Sequence, residues 1–144
     1  MPAPYHHVVF TVPESLNPWV SVMPRAVYAQ LFASAWATLS AFFARARRLG
    51  GRGAMTAVLH SWGQQLTRHV HLHCLVPAAT LDDDARWRTM SGAYLFPVRA
   101  LSRRFRGHFV AGLRQRGKAG ELDAFSPEQV DAMLSRLKIG RAHV

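Results

Sequence analysis

Three histidines, His69, His71 and His73, occupy alternate positions in and just before the stretch VHLHCLVP at 70–77. On an extended strand, side chains alternate between two faces. The three imidazoles would therefore share one face, with Val70, Leu72, Cys74 and Val76 on the other. Imidazoles two residues apart on a strand stand roughly 7 Å from each other, close enough to converge on one divalent ion. The third donor must come from a neighbouring element, and His60 and Gln64 are the nearest candidates. His7 is a weaker one, equally readable as a partly buried strand histidine. Bare His-x-His pairs also occur as ordinary surface residues, so the metal reading depends on that third donor. Imidazoles with an oxygen ligand suit Mg, Mn or another divalent ion of nuclease chemistry.

The cations have a pattern too. Net charge is +10, from 18 Lys and Arg against 8 acids, which favours a polyanionic partner, nucleic acid before membrane. Two blocks carry the excess: Arg45, Arg47, Arg48 and Arg52, then Arg99, Arg103, Arg104, Arg106, Arg114, Arg116 and Lys118. Any one of these reads as a solvated helix residue, but their clustering points to a surface for a phosphate backbone. Trp62, beside the histidines, either packs in the core or stacks a DNA base, a contact worth roughly 1–3 kcal/mol.

These residues need a scaffold. Tyr5 to Val12 is β-branched and aromatic and reads as a strand, followed by a loop from Pro13 to Pro24. Pro24 opens a long helix to about Arg48, with Tyr28, Phe32, Ala35, Leu39, Phe42 and Ala46 as its stripe. Trp36 and Phe43 widen that stripe, and Trp36 reads as packing. Gly50, Gly51 and Gly53 end the helix. Ala54–Trp62 and Val70–Pro77 read as strands joined by a short antiparallel return. Asp82, Asp83 and Asp84 mark a turn. Arg86–Met90 and Ala93–Phe96 suggest a hairpin around Ser91-Gly92. Pro97 opens another helix to about Arg116, and Ser126-Pro127-Glu128 caps a last one to Leu137. The order predicts an α+β domain with helices on one face of an antiparallel sheet.

At 144 residues the chain is one domain, and 49% hydrophobic against 18% charged residues is a globular composition. Gln, Ser, Arg or Pro interrupts each apolar run, so no membrane association is expected. The single cysteine, Cys74, rules out an internal disulfide framework and a Cys-rich zinc site, and fits a reducing cytoplasm. No signal peptide is visible.

Three blocks, YHHVVFTVPESLNPW (5–19), TAVLHSWGQQLTRHVHLHCLVP (56–77) and FPVRALSRRFRGHFVAGLR (96–114), resemble the two-tyrosine HUH insertion-sequence transposases, which move by a rolling-circle-like route. The likeness runs from Tyr5 to about Lys138 around His71-Leu72-His73. It implies a ferredoxin-like (RRM-like) sheet with the histidine strand central. It also implies a divalent ion, Mg or Mn, held by His71, His73 and a third polar ligand. The implied partner is single-stranded DNA at insertion-sequence ends, nicked and transferred through a tyrosine that forms a 5′-phosphotyrosine link. The resemblance leans toward Gln64 as third ligand, with His60 a close second.

The chain departs from that pattern at the nucleophile. The family carries two tyrosines four apart on a later helix, whereas Tyr5, Tyr28 and Tyr94 are the only ones here. Tyr94 has Val98 four residues on and does not take the role. This chain is therefore expected to be inactive for covalent strand cleavage. Residues 139–144 (IGRAHV) read as an adapter-derived tail, making 1–138 a catalytic domain cut before its tyrosine helix. A cysteine-rich zinc segment that precedes this domain in full-length relatives is also missing. The rival reading is a non-catalytic RRM-like module for single strands. It calls for exposed aromatics on the central strands, where this sequence has histidines.

Overall fold

The computed structural model describes residues 3–46, 49–61, 69–90, 96–137 and 142–143. Four strands form an antiparallel sheet in the order β2-β3-β1-β6: β1 Tyr5–Thr11, β2 Thr56–His60, β3 His71–Pro77 and β6 Ala142–His143. The histidine strand β3 is central, as expected. Period-two alternation decides what each side of it sees. Leu72, Cys74 and Val76 are fully buried, along with Val8 and Phe10 from β1. The opposite face carries His71 and His73, and no helix among the described residues covers it.

Two helices cover the buried face. In α2 (Pro24–Arg45), Val27, Leu31, Ala35, Leu39 and Phe43 form a fully buried row at a spacing of four. In α3 (Val98–Lys118), Leu101, Phe105, Phe109 and Leu113 do the same, and Phe105 meets Phe10 ring to ring at 4.7 Å. α2 and α3 are tied through Gln30. Its Nε2 donates to Ser34 Oγ (2.9 Å) and His108 O (3.5 Å), and its Oε1 accepts from Arg116 Nε (2.9 Å). The last helix, α4 (Pro127–Arg136), has the expected Ser126 cap, with Ser126 and Gln129 bonding reciprocally.

Three expectations need correcting. Trp36 is 42% exposed rather than packed, because the buried row runs through Val27, Leu31 and Ala35 and leaves position 36 on the far side. The segment expected as loop from Pro13 to Pro24 holds a 3-10 turn (Glu14–Leu16) and α1 (Asn17–Val22). There Leu16, Trp19 and Val20 have core partners, and Trp19 stacks on Phe125 at 5.3 Å. The Asp82–Asp84 turn, expected from the sequence, closes a small hairpin that pairs β4 (Ala79–Leu81) with β5 (Trp87–Thr89). Asp82 holds that turn: its carboxylate accepts from the Asp84 and Arg86 amides and from Arg88 Nε. Residues 93–95 of the expected partner strand lie outside the described residues. Finally, α2 is by length and composition apolar enough to cross a membrane (mean hydropathy 1.3), since Gln30, Ser34 and Thr38 are polar but uncharged. Its buried face against the sheet and α3 is that of a core helix.

A histidine cluster on the open face of the sheet

The register of the sheet gathers the histidines. Within the antiparallel pairing, His60 of β2 stands directly opposite His71, and Thr11 of β1 stands opposite His71 on the other side. Val58 and Val9 flank His73 in the same way. Side chains directly opposite across strands share a face, so His60, His71, His73, His7 and Thr11 all point away from the helices. The rings confirm the grouping: His71 and His73 centroids are 6.3 Å apart, His60 and His73 5.8 Å, and His7 and His73 5.1 Å. His69 precedes β3, stacks parallel to His71 at 5.6 Å and pairs with Glu14.

Two contacts from β1 orient the pair. His71 Nδ1 lies 3.0 Å from Thr11 Oγ1, and His73 Nδ1 lies 2.9 Å from His7 Nε2. When each Nδ1 carries the proton and donates it, the lone pair on Nε2 becomes the coordinating one, as in metal sites whose histidines are fixed by an outer partner. Desolvation, helped by the nearby His7 and His60, lowers the pKa of His73 below the usual histidine value. A neutral imidazole is the form that binds cations, so the shift suits a ligand. Behind the sheet, burial pushes the Cys74 thiol up to about 12, and it has no part in this chemistry.

The donor types fit a divalent cation. As the side chains stand, no three His, Cys, Asp or Glu among the described residues are already gathered around one point. His73 is hydrogen-bonded to His7 instead. Because the backbone register already puts His60, His71 and His73 on one patch, what separates this arrangement from a coordinating one is rotation of rings.

Of the other candidate residues, Gln64, Trp62 and Arg48 lie outside the described residues, as does Tyr94. Arg45 is exposed at the end of α2, and Arg99 and Arg103 are exposed on α3. Arg104 is half-buried, and its Nε has no partner. Arg106 Nη2 donates to Leu137 O at 3.3 Å, tying α3 to the end of α4. The α3 arginines lie on the helix layer, behind the sheet as seen from the histidines. Residue types and spacing alone missed Thr11, which only the register of β1 reveals, and Glu14, which the 3-10 turn after β1 brings to His69.

The family described as "Putative transposase" (Y2_Tnp) matches residues 54–139. "Putative transposase y4qJ" of Sinorhizobium fredii is 40% identical over 123 residues, which is 85% of this chain and 31% of that protein. "Transposase for insertion sequence element IS801" of Pseudomonas savastanoi pv. phaseolicola is 34% identical over 104 residues, 71% of this chain and 23% of its own length. The chain thus spans under a third of these curated relatives. Among solved structures, the TrwC relaxase complexed with a 27-mer DNA comprising a recognition hairpin and cleavage site has a TM-score of 0.59. It shares 18% identity, over 77% of this chain and 44% of that one. The metal-bound TrwC complex with oriT DNA has a TM-score of 0.56 at 17% identity, covering 90% of this chain and 52% of that one. These likenesses show a relaxase-type fold.

Proposed function

This chain belongs to the Y2_Tnp transposase family, and from that premise we propose that it is the cation- and single-strand-binding core of a DNA-nicking transposase. The observation that carries the reading is the register bringing His60, His71 and His73 onto one uncovered face. We take His60 as the third ligand in preference to Gln64, because it sits opposite His71 on a paired strand. That TrwC structures of this fold were solved with oriT DNA, and in one case with metal, fits the reading. A bound Mg or Mn would draw charge from a non-bridging oxygen of the scissile phosphate. Thr11 and His7 hold the tautomers of His71 and His73. Tyr5, Val58 and Leu75, all exposed on the same face, offer unpaired bases a surface to stack on.

Neither described tyrosine is placed as the nucleophile. Tyr28 is packed against the core. Tyr5 shares the histidine face but pairs with Pro77, four positions along from His73, about 13 Å at strand rise. Calorimetry with Mn tests the ligand set. Wild type should bind one ion, His71→Ala/His73→Ala none, and His60→Ala should weaken binding roughly 10–100-fold, the loss typical of a disturbed site. Equal binding by the double variant and wild type would sink the metal assignment. A loss in Gln64→Ala with none in His60→Ala would move the third ligand to Gln64.

A further inference from the structure

We infer that the outer side of α3 is a second DNA-binding surface, one that grips duplex rather than single-stranded DNA. It goes beyond the sheet-face reading and rests on it only for the single-strand comparison.

Three observations carry it. The first is place. The buried row of α3 faces the sheet through Phe105 and Phe109, whereas Arg99, Arg103, Arg114 and Lys118 fall within an arc of about 100° on the other side of the helix and are exposed. A helix about 10–12 Å across therefore stands between them and the histidine face. A strand seated on the histidines cannot reach these cations at the same point. The second is chemistry. The only phenyl rings on α3 are Phe105 and Phe109, and both are buried. Single strands are held by cations together with rings that stack bases; this surface has the cations without the rings. The sheet face has the reverse, exposed Tyr5, Val58 and Leu75 with histidines and no arginine among the described β1, β2 and β3 residues. The third is shape and charge. Arg99 to Lys118 spans about 28 Å along a straight helix, the axial length of roughly eight base pairs. Within the row Arg114 pairs with Asp131 at 3.6 Å, an exposed pair of little strength. α4 packs beside the C-terminal half of α3, where Val130 approaches Gly117 and Asp131 reaches Arg114, yet Arg99, Arg103, Arg114 and Lys118 all remain exposed.

The occupant that fits a straight, phosphate-spaced, ring-free row is the backbone of double-stranded DNA, read without sequence. A nicking transposase on this scaffold would hold the strand to be cut on the sheet and neighbouring duplex on the helices.

The test uses the 144-residue chain and fluorescence anisotropy with two probes, a blunt-ended duplex and a single-stranded oligonucleotide of equal length. In Arg99→Gln/Arg103→Gln/Arg114→Gln/Lys118→Gln, duplex affinity should fall at least about tenfold at low salt, and the log–log salt slope should flatten by about 0.9 per lost phosphate contact. Single-strand affinity should stay close to wild type. A variant with Lys at the three arginine positions should keep duplex binding, which separates loss of charge from loss of fold. His71→Ala/His73→Ala should bind duplex normally. Unchanged duplex affinity in the Gln variant overturns the inference, as does an equal loss for both probes. If wild type ignores the single strand while the Gln variant loses duplex, the sheet-face reading fails and the helix surface stands.

Discussion

His73 shows how a residue's neighbours set its chemistry. Its ring is partly desolvated and lies among His7 and His60, so protonating it would add a positive charge beside two groups that also take protons. Its pKa is lowered for that reason. The sign follows. As pH falls, an unfolded chain takes up this proton near the ordinary value of 6.5, while the folded chain resists it until lower pH. Any stability that depends on neutral His73 is present above 6.5 and declines below it. In the metal-free protein, an NMR titration of the His73 ring should give a midpoint below 6.5, and His7→Asn should raise it only in part, since desolvation is the larger cause. A midpoint at or above 6.5 would mean that the cluster does not hold His73 neutral. The alternating histidines themselves were legible, because period two is a property of any strand. Their outer partners were not. Nothing in the letters says that Thr11 faces His71 or that His7 reaches His73; that depends on how far β1 slides along β3.

At the scale of the element, α3 carries two glycines with opposite consequences. Gly112 lies where α3 comes closest to α2, and a Cβ there would run into the buried amide of Gln30. That amide already bonds to Ser34, His108 and Arg116 and cannot move without leaving them unpaired. Gly107 has nothing within 4 Å of where its Cβ would be. Gly112→Ala should therefore cost about 1–3 kcal/mol from overpacking, outweighing its gain in helix propensity. Gly107→Ala should stabilise by about 0.5–1 kcal/mol. Thermal melts followed by circular dichroism would read these as Tm shifts of opposite sign, and a shared sign would remove Gln30 from its place as the α2–α3 tie. Long helices were readable because their apolar spacing repeats over many turns. The stripe on α2 was nevertheless read too far around, toward Trp36. Aromatic bulk suggested core, while the smaller Val27, Leu31 and Ala35 are what the sheet accepts. Three-residue strands such as β4 and β5 give too short a pattern to choose a partner, and the decision fell to Asp82.

As a whole, the molecule is a two-layer device whose chemistry is split between its outer faces. The sheet layer offers imidazoles and stacking surface, and the helix layer offers cations. The general outline, helices behind an antiparallel sheet, was readable from element order, and the central place of β3 from the family resemblance, whereas the separation of the arginines from the histidines required the packing. With Tyr28 packed against the core and Tyr5 paired with Pro77, four positions along from His73, the 144-residue chain should leave no covalent mark on DNA. Incubated with Mn and labelled single-stranded insertion-sequence ends, then run on a denaturing gel, it should give no labelled protein band. A band that disappears in Tyr94→Phe or Tyr5→Phe would assign the nucleophile to this chain after all. The sheet's register bears on quality control as well. The proposed ligands sit on different strands, so a slip of β3 by one residue would turn His71 and His73 into the core and set Leu72 and Cys74 outside. That misfold would bury two imidazoles and expose two apolar groups at once. Copies of the protein with a half-correct site should therefore be rare, and a preparation's cation-binding stoichiometry should count its correctly folded fraction.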